Sequence, residues 1–252
     1  MTQHADTTTA ETTHDPLAGA TVLVTGANGG LGIEFVRQAL ERGAVKVYAS
    51  ARRPTTWEDS RVVPLPLDVT DPASVAAAAA AATDVTVVIN NAGISRPAPI
   101  ATGDLADLRE IFETNFFGAV LVAREFAPVL AANGGGALVN VHSVLSWLGL
   151  AGAYSASKAA FWSATNSLRV ELAGQGTRVV GLHLGYTDTP MTANVTDPKN
   201  DPADVVRSAY DGLAAGAHEV LADELSVQVK AGLAGPIEGL YPMLAAAGAR
   251  SN

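Results

Sequence analysis

Apolar positions along this chain fall into short continuous runs separated by longer stretches of helical spacing. Runs rich in β-branched residues occur at 20–24, 45–49, 62–65, 85–89, 137–141, 178–183 and 219–221. A run that is apolar throughout, not alternating, predicts a strand buried on both faces, as in a parallel sheet. After the first run, Ile33, Phe35, Val36 and Leu40 mark one apolar helix face, closed at Gly43. Further helices are predicted over 73–82, 105–131, 154–172 and 203–214. The alanine run within 73–82 reads as a crossover helix because alanine is the best helix former. Alternating strands and helices predict an α/β fold, a Rossmann-like doubly wound parallel sheet flanked by helices. In such sheets ligands bind beyond the carboxyl ends of the strands.

Composition narrows the picture. The chain has 252 residues, 48% of them hydrophobic, enough for one substantial core, and residues 17–252 are expected to form a single domain. Residues 1–16 are polar and rich in Thr and His, without the apolar stretch of a signal peptide, and a disordered tail is expected there. The absence of cysteine excludes disulfides and thiolate metal sites, and no metal is expected. Sixteen basic against 25 acidic residues, a net charge of −9, argue against nucleic acid as a partner. No apolar run reaches the ~18 residues of a spanning helix, so a cytoplasmic protein without a membrane partner is expected.

Two motifs sit where the fold would place a ligand. Thr25-Gly26-Ala27-Asn28-Gly29-Gly30-Leu31-Gly32 joins the first strand to the first helix. Glycines there let backbone approach a pyrophosphate, and the helix N-terminus supplies N–H groups and the positive end of its dipole. Tyr154 and Lys158 are four apart, on one face of a predicted helix. A neighbouring ammonium favours the phenolate, so the pair is suited to passing a proton to or from a carbonyl oxygen.

These motifs together resemble the short-chain dehydrogenase/reductase family, of the type with Thr-Gly-x-x-x-Gly-x-Gly and Tyr-x-x-x-Lys. Further matches follow in family order: Leu67-Asp68-Val69, Asn90-Asn91-Ala92-Gly93, Asn115, Ser143 and Thr189, so the likeness spans roughly residues 18–232. The resemblance implies a catalytic set of Asn115, Ser143, Tyr154 and Lys158. Ser143 would hold the substrate carbonyl and Tyr154 supply the proton. Lys158 would lower the tyrosine pKa and hold the nicotinamide ribose, and Asn115 would order a water. The stretch between Ser143 and Tyr154 is about two residues shorter than the commonest family spacing, which keeps Ser146 as an alternative to Ser143. His142 and His183 read as strand residues without a catalytic role.

The same resemblance places the cofactor on Gly26, Asn28, Gly30, Leu31, Gly32, Asp68, Val69, Asn91, Ala92, Gly93, Gly185, Thr187 and Thr189, together with Tyr154 and Lys158. Asp68 would hydrogen-bond the adenine edge and Thr189 the carboxamide. An NAD site usually has a carboxylate about 20 residues beyond the glycine turn. Here Arg52 and Arg53 occupy that region, and a guanidinium matches the 2′-phosphate of NADP. NADP(H) is therefore expected over NAD(H). Many NADP-preferring members carry a second basic residue where this chain has Gly29.

Ser95, Leu145, Trp147, Tyr186 and Met191, with Leu148 and Leu150, are expected to line a pocket for a hydrophobic ketone, aldehyde or secondary alcohol. The short segment after Met191 is expected to be a mobile lid. The reading is an NADPH-dependent carbonyl reductase. An NAD-dependent alcohol dehydrogenase and a catalytically silent NADP-binding sensor are the alternatives. The resemblance also implies a homotetramer or homodimer.

Overall fold

The computed structural model describes residues 15–244. Its elements run β1 (Thr21–Thr25), α1 (Leu31–Glu41), β2 (Lys46–Ala51), β3 (Val62–Pro66), α2 (Pro72–Ala81), β4 (Val87–Asn90), α3 (Leu105–Phe112), a π-helical turn (Glu113–Gly118), α4 (Ala119–Ala132), β5 (Ala137–Val141), α5 (Ala153–Glu171), β6 (Arg178–His183), α6 (Pro202–Ala214), β7 (Glu219–Leu221), α7 (Glu224–Gly232) and α8 (Ile237–Leu240). The seven strands pair in the order β3-β2-β1-β4-β5-β6-β7, every pair parallel. This is the doubly wound sheet expected from the apolar runs. The strand order reverses between β1 and β4, so a crevice opens at their carboxyl ends.

Strand alternation sends neighbouring residues into two separate cores. Val22 and Val24 pack with Phe35 and Val36 of α1 and with Val206 and Tyr210 of α6. Leu23 and Val88 join Val122 and Phe126 of α4 and Leu168 of α5 on the opposite face. Tyr210 meets Phe35 edge-on at 5.5 Å and donates its hydroxyl to the Phe35 carbonyl at 2.9 Å, so this buried phenol is satisfied. Burying a side chain such as Phe35 stabilises the fold by about 1.5–3 kcal/mol. Asp71 caps α2 by accepting the Ala73 N–H, and Pro72 occupies the first helical turn where its missing N–H costs nothing.

The structure departs from the sequence reading in three places. The helix expected over 105–131 runs from Leu105 to Ala132 but widens into the π turn around Asn115. By length and composition alone this segment could cross a membrane, yet α4 packs against β4, α2 and α5. Second, Asp15 accepts the Leu17 N–H and pairs with Arg42, so residues 15 and 16 of the expected tail belong to the fold. Residues 1–14 lie outside the described residues. Third, α7 and α8 extend the fold beyond the last strand.

Candidate active site

At the carboxyl end of β1 the glycine turn forms an open cradle. Gly26 adopts φ +68°, and a Cβ there would lie 3.1 Å from the Ala92 Cα. At Gly32 a Cβ would lie 2.2 Å from the Gly26 carbonyl oxygen, so only glycine lets α1 start this close to β1. Gly30, with φ +52°, precedes α1 without a side-chain cap, which leaves the helix entrance to a ligand. The Thr25 hydroxyl accepts the N–H groups of Asn91 and Ala92, both at 2.9 Å, and so fixes the turn after β4 against the cradle. Backbone held this close, with an uncapped helix N-terminus, fits a dinucleotide pyrophosphate.

The expected catalytic residues converge. Tyr154 and Lys158 stand one turn apart on α5, with Lys158 Nζ 5.9 Å from the Tyr154 ring centroid. Surrounding protein shields the phenol although part of Tyr154 faces the cavity. That burial pushes its pKa up to about 12, against a lowering hydrogen bond from Ser143. Burial also brings Lys158 down to about 8, and its ammonium donates to the Val141 carbonyl at 2.8 Å. At neutral pH the pair is therefore a neutral phenol beside an ammonium. The sequence reading had Lys158 lowering the tyrosine, whereas in the protein alone desolvation prevails and Ser143 supplies the lowering contact.

Ser143 and Ser146 share the turn after β5. The Ser146 hydroxyl accepts the Ser143 N–H at 3.3 Å and the Ser143 hydroxyl accepts the Leu145 N–H at 3.1 Å, closing a small capping box, with Ser143 on the Tyr154 side. The Asn115 side chain is committed to the loop after β4 and to α5. Its amide accepts the Ile94 N–H at 2.8 Å, donates to the Ile94 carbonyl at 2.9 Å, and donates to Ser157 at 3.2 Å. Both amide hydrogens are thereby committed. The residue clamps the 91–94 loop so that Gly93 lies against Asn115 and Lys158.

A cavity of about 680 Å³ runs from the cradle past this group. Of the expected cofactor residues it is lined by Gly26, Gly30, Leu31, Asn91, Ala92, Gly93, Gly185, Thr187 and Thr189. Asn28, Gly32, Arg52, Arg53, Asp68 and Val69 do not line it. Gly32 and Val69 are packing residues, and a Cβ on Gly118 would overlap Val69. Arg52 and Arg53 are exposed after β2. Asn28 donates to the Arg53 carbonyl at 2.7 Å and accepts from Thr55, tying the cradle to the arginine loop. Asp68 accepts the N–H and hydroxyl of Thr70, which hold its carboxyl below the usual range, with a smaller contribution from Arg52.

Ser95, Leu145, Leu148, Leu150, Tyr186 and Met191 also line this cavity. Trp147 does not. Its indole stacks on His183 at 4.0 Å and lies under Lys230, inside a satellite core with Val144, Leu148 and Val229. His142 and His183 are buried, and desolvation lowers the pKa of both.

Asp223 is a residue the sequence reading missed. Its carboxylate accepts the Gly185 N–H at 2.6 Å, the Asn200 amide at 2.7 Å and the Ser226 N–H at 2.8 Å. Asn200 in turn bonds Tyr186 and Asp188 through its backbone, so the expected lid is anchored at its far end. From the carboxyl terminus, the Tyr241 hydroxyl accepts the Gly149 N–H at 2.7 Å and steadies the opposite wall. Losing a charge-assisted hydrogen bond costs about 1.5–3 kcal/mol. Asp223→Ala should therefore weaken nicotinamide cofactor binding about tenfold or more, as measured by fluorescence titration. Unchanged affinity would show that the loop holds itself.

Comparison with known proteins agrees with this geometry. A family model described as short chain dehydrogenase matches residues 20–200. The cis-4-hydroxycyclohexanecarboxylate dehydrogenase of Sinomonas cyclohexanicum is 36% identical over 205 residues, covering 76% of this chain and 80% of that protein. The 1-deoxy-11-beta-hydroxypentalenate dehydrogenase of Streptomyces exfoliatus is 36% identical over 206 residues, 75% of each. A short chain dehydrogenase from Burkholderia cenocepacia, crystallised in complex with NADP, superposes with a TM-score of 0.85 at 38% identity, over 90% of this chain and 98% of that one.

Proposed function

Because this chain belongs to the short-chain dehydrogenase family, and is thus an oxidoreductase of hydroxyl and carbonyl groups with a nicotinamide cofactor, we propose that it is an NADPH-dependent reductase of hydrophobic ketones and aldehydes. The observation that carries this reading is the convergence of Ser143, Tyr154 and Lys158 on one apolar cavity that runs on from the glycine cradle. The cradle at Gly26, Gly30 and Leu31, with Asn91 to Gly93, would hold a reduced nicotinamide cofactor, which would supply hydride to the carbonyl carbon. The chain's own groups do the rest. Ser143 and Tyr154 point donors at the oxygen where negative charge develops, and preorganised donors act most strongly there. Tyr154 releases its proton to that oxygen. Lys158, charged below about 8, stabilises the phenolate that remains. Asn115 keeps Gly93 and the cofactor-facing loop in register.

Arg52 and Arg53 carry the NADPH preference. They stand at the end of β2, where an NAD site places its carboxylate, and Asn28 fixes the Arg53 backbone beside the cradle. Wild-type protein is expected to bind NADPH at least about tenfold tighter than NADH, and Arg52→Ala with Arg53→Ala to erase the difference. Equal affinities in the wild type would favour an NAD-dependent alcohol dehydrogenase. A Cβ at Gly29 meets no atom within 4 Å. Gly29→Arg should accordingly sharpen the preference for NADPH several-fold, read from the ratio of the two dissociation constants.

The Sinomonas and Streptomyces relatives are named for cyclic hydroxy-carboxylates, so cyclic ketones with and without a carboxylate head the panel for steady-state assay. The chain is proposed to act in the cytoplasm as a homotetramer or homodimer. Phe117 on the π turn and Val170 on α5 are exposed large side chains that suit such packing.

A further inference from the structure

Ser143 is aimed by a turn that the sheet alone does not hold. The β5–β6 ladder fixes the chain as far as Val144, whose N–H donates to the Leu184 carbonyl at 2.8 Å. Beyond it the chain turns on itself. The Ser146 N–H donates to the Ser143 carbonyl at 2.9 Å and the Trp147 N–H to the Val144 carbonyl at 3.1 Å. The Ser143 hydroxyl accepts the Leu145 N–H of the same turn at 3.1 Å, so its direction follows the course of residues 144–147. Trp147 closes that turn, and its buried indole is the anchor.

The anchor is gripped from outside the cavity. The Trp147 indole stacks on His183 at 4.0 Å and meets Trp162 of α5 edge-on at 6.0 Å. Lys230 of α7 reaches across both, its Nζ 5.0 Å from the Trp147 ring centroid and 5.2 Å from that of Trp162. A cation within about 6 Å of an aromatic face is attracted to it. Glu219 of β7 fixes the ammonium, with Oε2 2.7 Å from Lys230 Nζ, while Oε1 accepts the Trp162 N–H at 3.3 Å. His183 and Lys230 bring the Glu219 pKa down to about 2, so the group stays a carboxylate.

A partly exposed ion pair on its own contributes little. This one differs because the paired ammonium also faces two indoles set at 88° to each other. Val144, Leu148 and Val229 pack around Trp147 whether or not Lys230 is charged. What the clamped cation adds is orientation. We propose that Lys230 is a positioning residue: held by Glu219, it keeps the Trp147 indole against His183 and so fixes the turn that aims the Ser143 hydroxyl. The proposal rests on the carbonyl-reductase reading above, in which Ser143 holds the substrate oxygen, and it assigns a task to a residue that does not line the cavity.

Steady-state kinetics on a cyclic ketone with NADPH test it. Lys230→Ala should lower kcat/KM about five- to tenfold, and the loss should fall on kcat, because a misdirected donor fails mainly in the transition state. NADPH affinity should stay within about twofold. Lys230→Arg, which keeps a cation over the indoles and a partner for Glu219, should recover at least about half of the wild-type value. In a Ser143→Ala background, Lys230→Ala should cost less than about twofold more, since nothing is left for it to aim. Glu219→Gln releases the ammonium yet keeps an acceptor for Trp162. It should cost about threefold, again only where Ser143 is present, and it carries the test if Lys230→Ala does not fold. Undiminished kcat/KM in Lys230→Ala, or losses that multiply fully with Ser143→Ala, overturn the proposal and leave the reductase standing. So does an arginine variant no better than alanine. A wild type that binds NADPH and reduces no ketone strikes the reductase reading itself and takes this inference with it.

Discussion

Replacing Tyr154 by Phe is expected to lower kcat/KM for ketone reduction by about 10²–10⁴-fold, the range of a lost general acid. The ring keeps its place beside Lys158, 5.9 Å away, so the change removes one hydroxyl and its bond to Ser143 and little else. NADPH affinity should stay within about twofold, because the cradle at Gly26 to Gly32 and the Asn91 turn are untouched. The loss should therefore appear in kcat. A fall confined to KM would mean that Tyr154 binds substrate without passing a proton.

Lys158→Met makes a second and less intuitive prediction: activity falls by about 10²-fold or more while the fold gains stability. Burial brings the Lys158 pKa down from 10.5 to about 8, so the charged form is disfavoured in the native state. Removing the ammonium relieves that penalty, although the Val141 carbonyl loses its donor. The net gain at pH 7 should be about 1–2 kcal/mol. The sign fixes a pH window. Between about 8 and 10.5 the unfolded chain holds the Lys158 proton and the folded chain does not, so Lys158 makes stability rise with pH there. Tyr154 opposes this only above 10, where the unfolded phenol ionises while the folded one, near 12, does not. Urea unfolding of wild type and Lys158→Met across pH 7 to 10 reads both effects. Wild-type stability flat or falling between 8 and 10, with no difference from the variant, would contradict a buried ammonium.

The parts of this site legible in the sequence are those written in local spacing. Seven apolar runs gave seven parallel strands because a strand buried on both faces has few other compositions open to it. Tyr154 and Lys158 were readable from helical periodicity, and the cradle from glycines between a strand and a helix. The Asp223 contact joins residues 38 apart, and nothing near Asp223 or Gly185 announces the other. The π turn at Asn115 was hidden because the apolar pattern runs through it unbroken. Trp147 was misplaced because the course of the 144–151 loop depends on the space offered by His183, Trp162 and Lys230, all distant in sequence. Residues proposed to act on the substrate follow a local pattern, whereas the residues that hold them in place emerge from packing.

Reduction of an uncharged cyclic ketone with NADPH deuterated at C4 of the nicotinamide tests the central claim most directly. Deuterium should appear at the carbinol carbon of the product, at a rate several-fold or more above that with deuterated NADH, and the Tyr154→Phe protein should give none above background. Tight NADPH binding without any labelled alcohol would contradict the account and leave a nucleotide-binding protein without turnover. Labelled alcohol formed equally well by Tyr154→Phe would keep the reductase and remove Tyr154 as its acid.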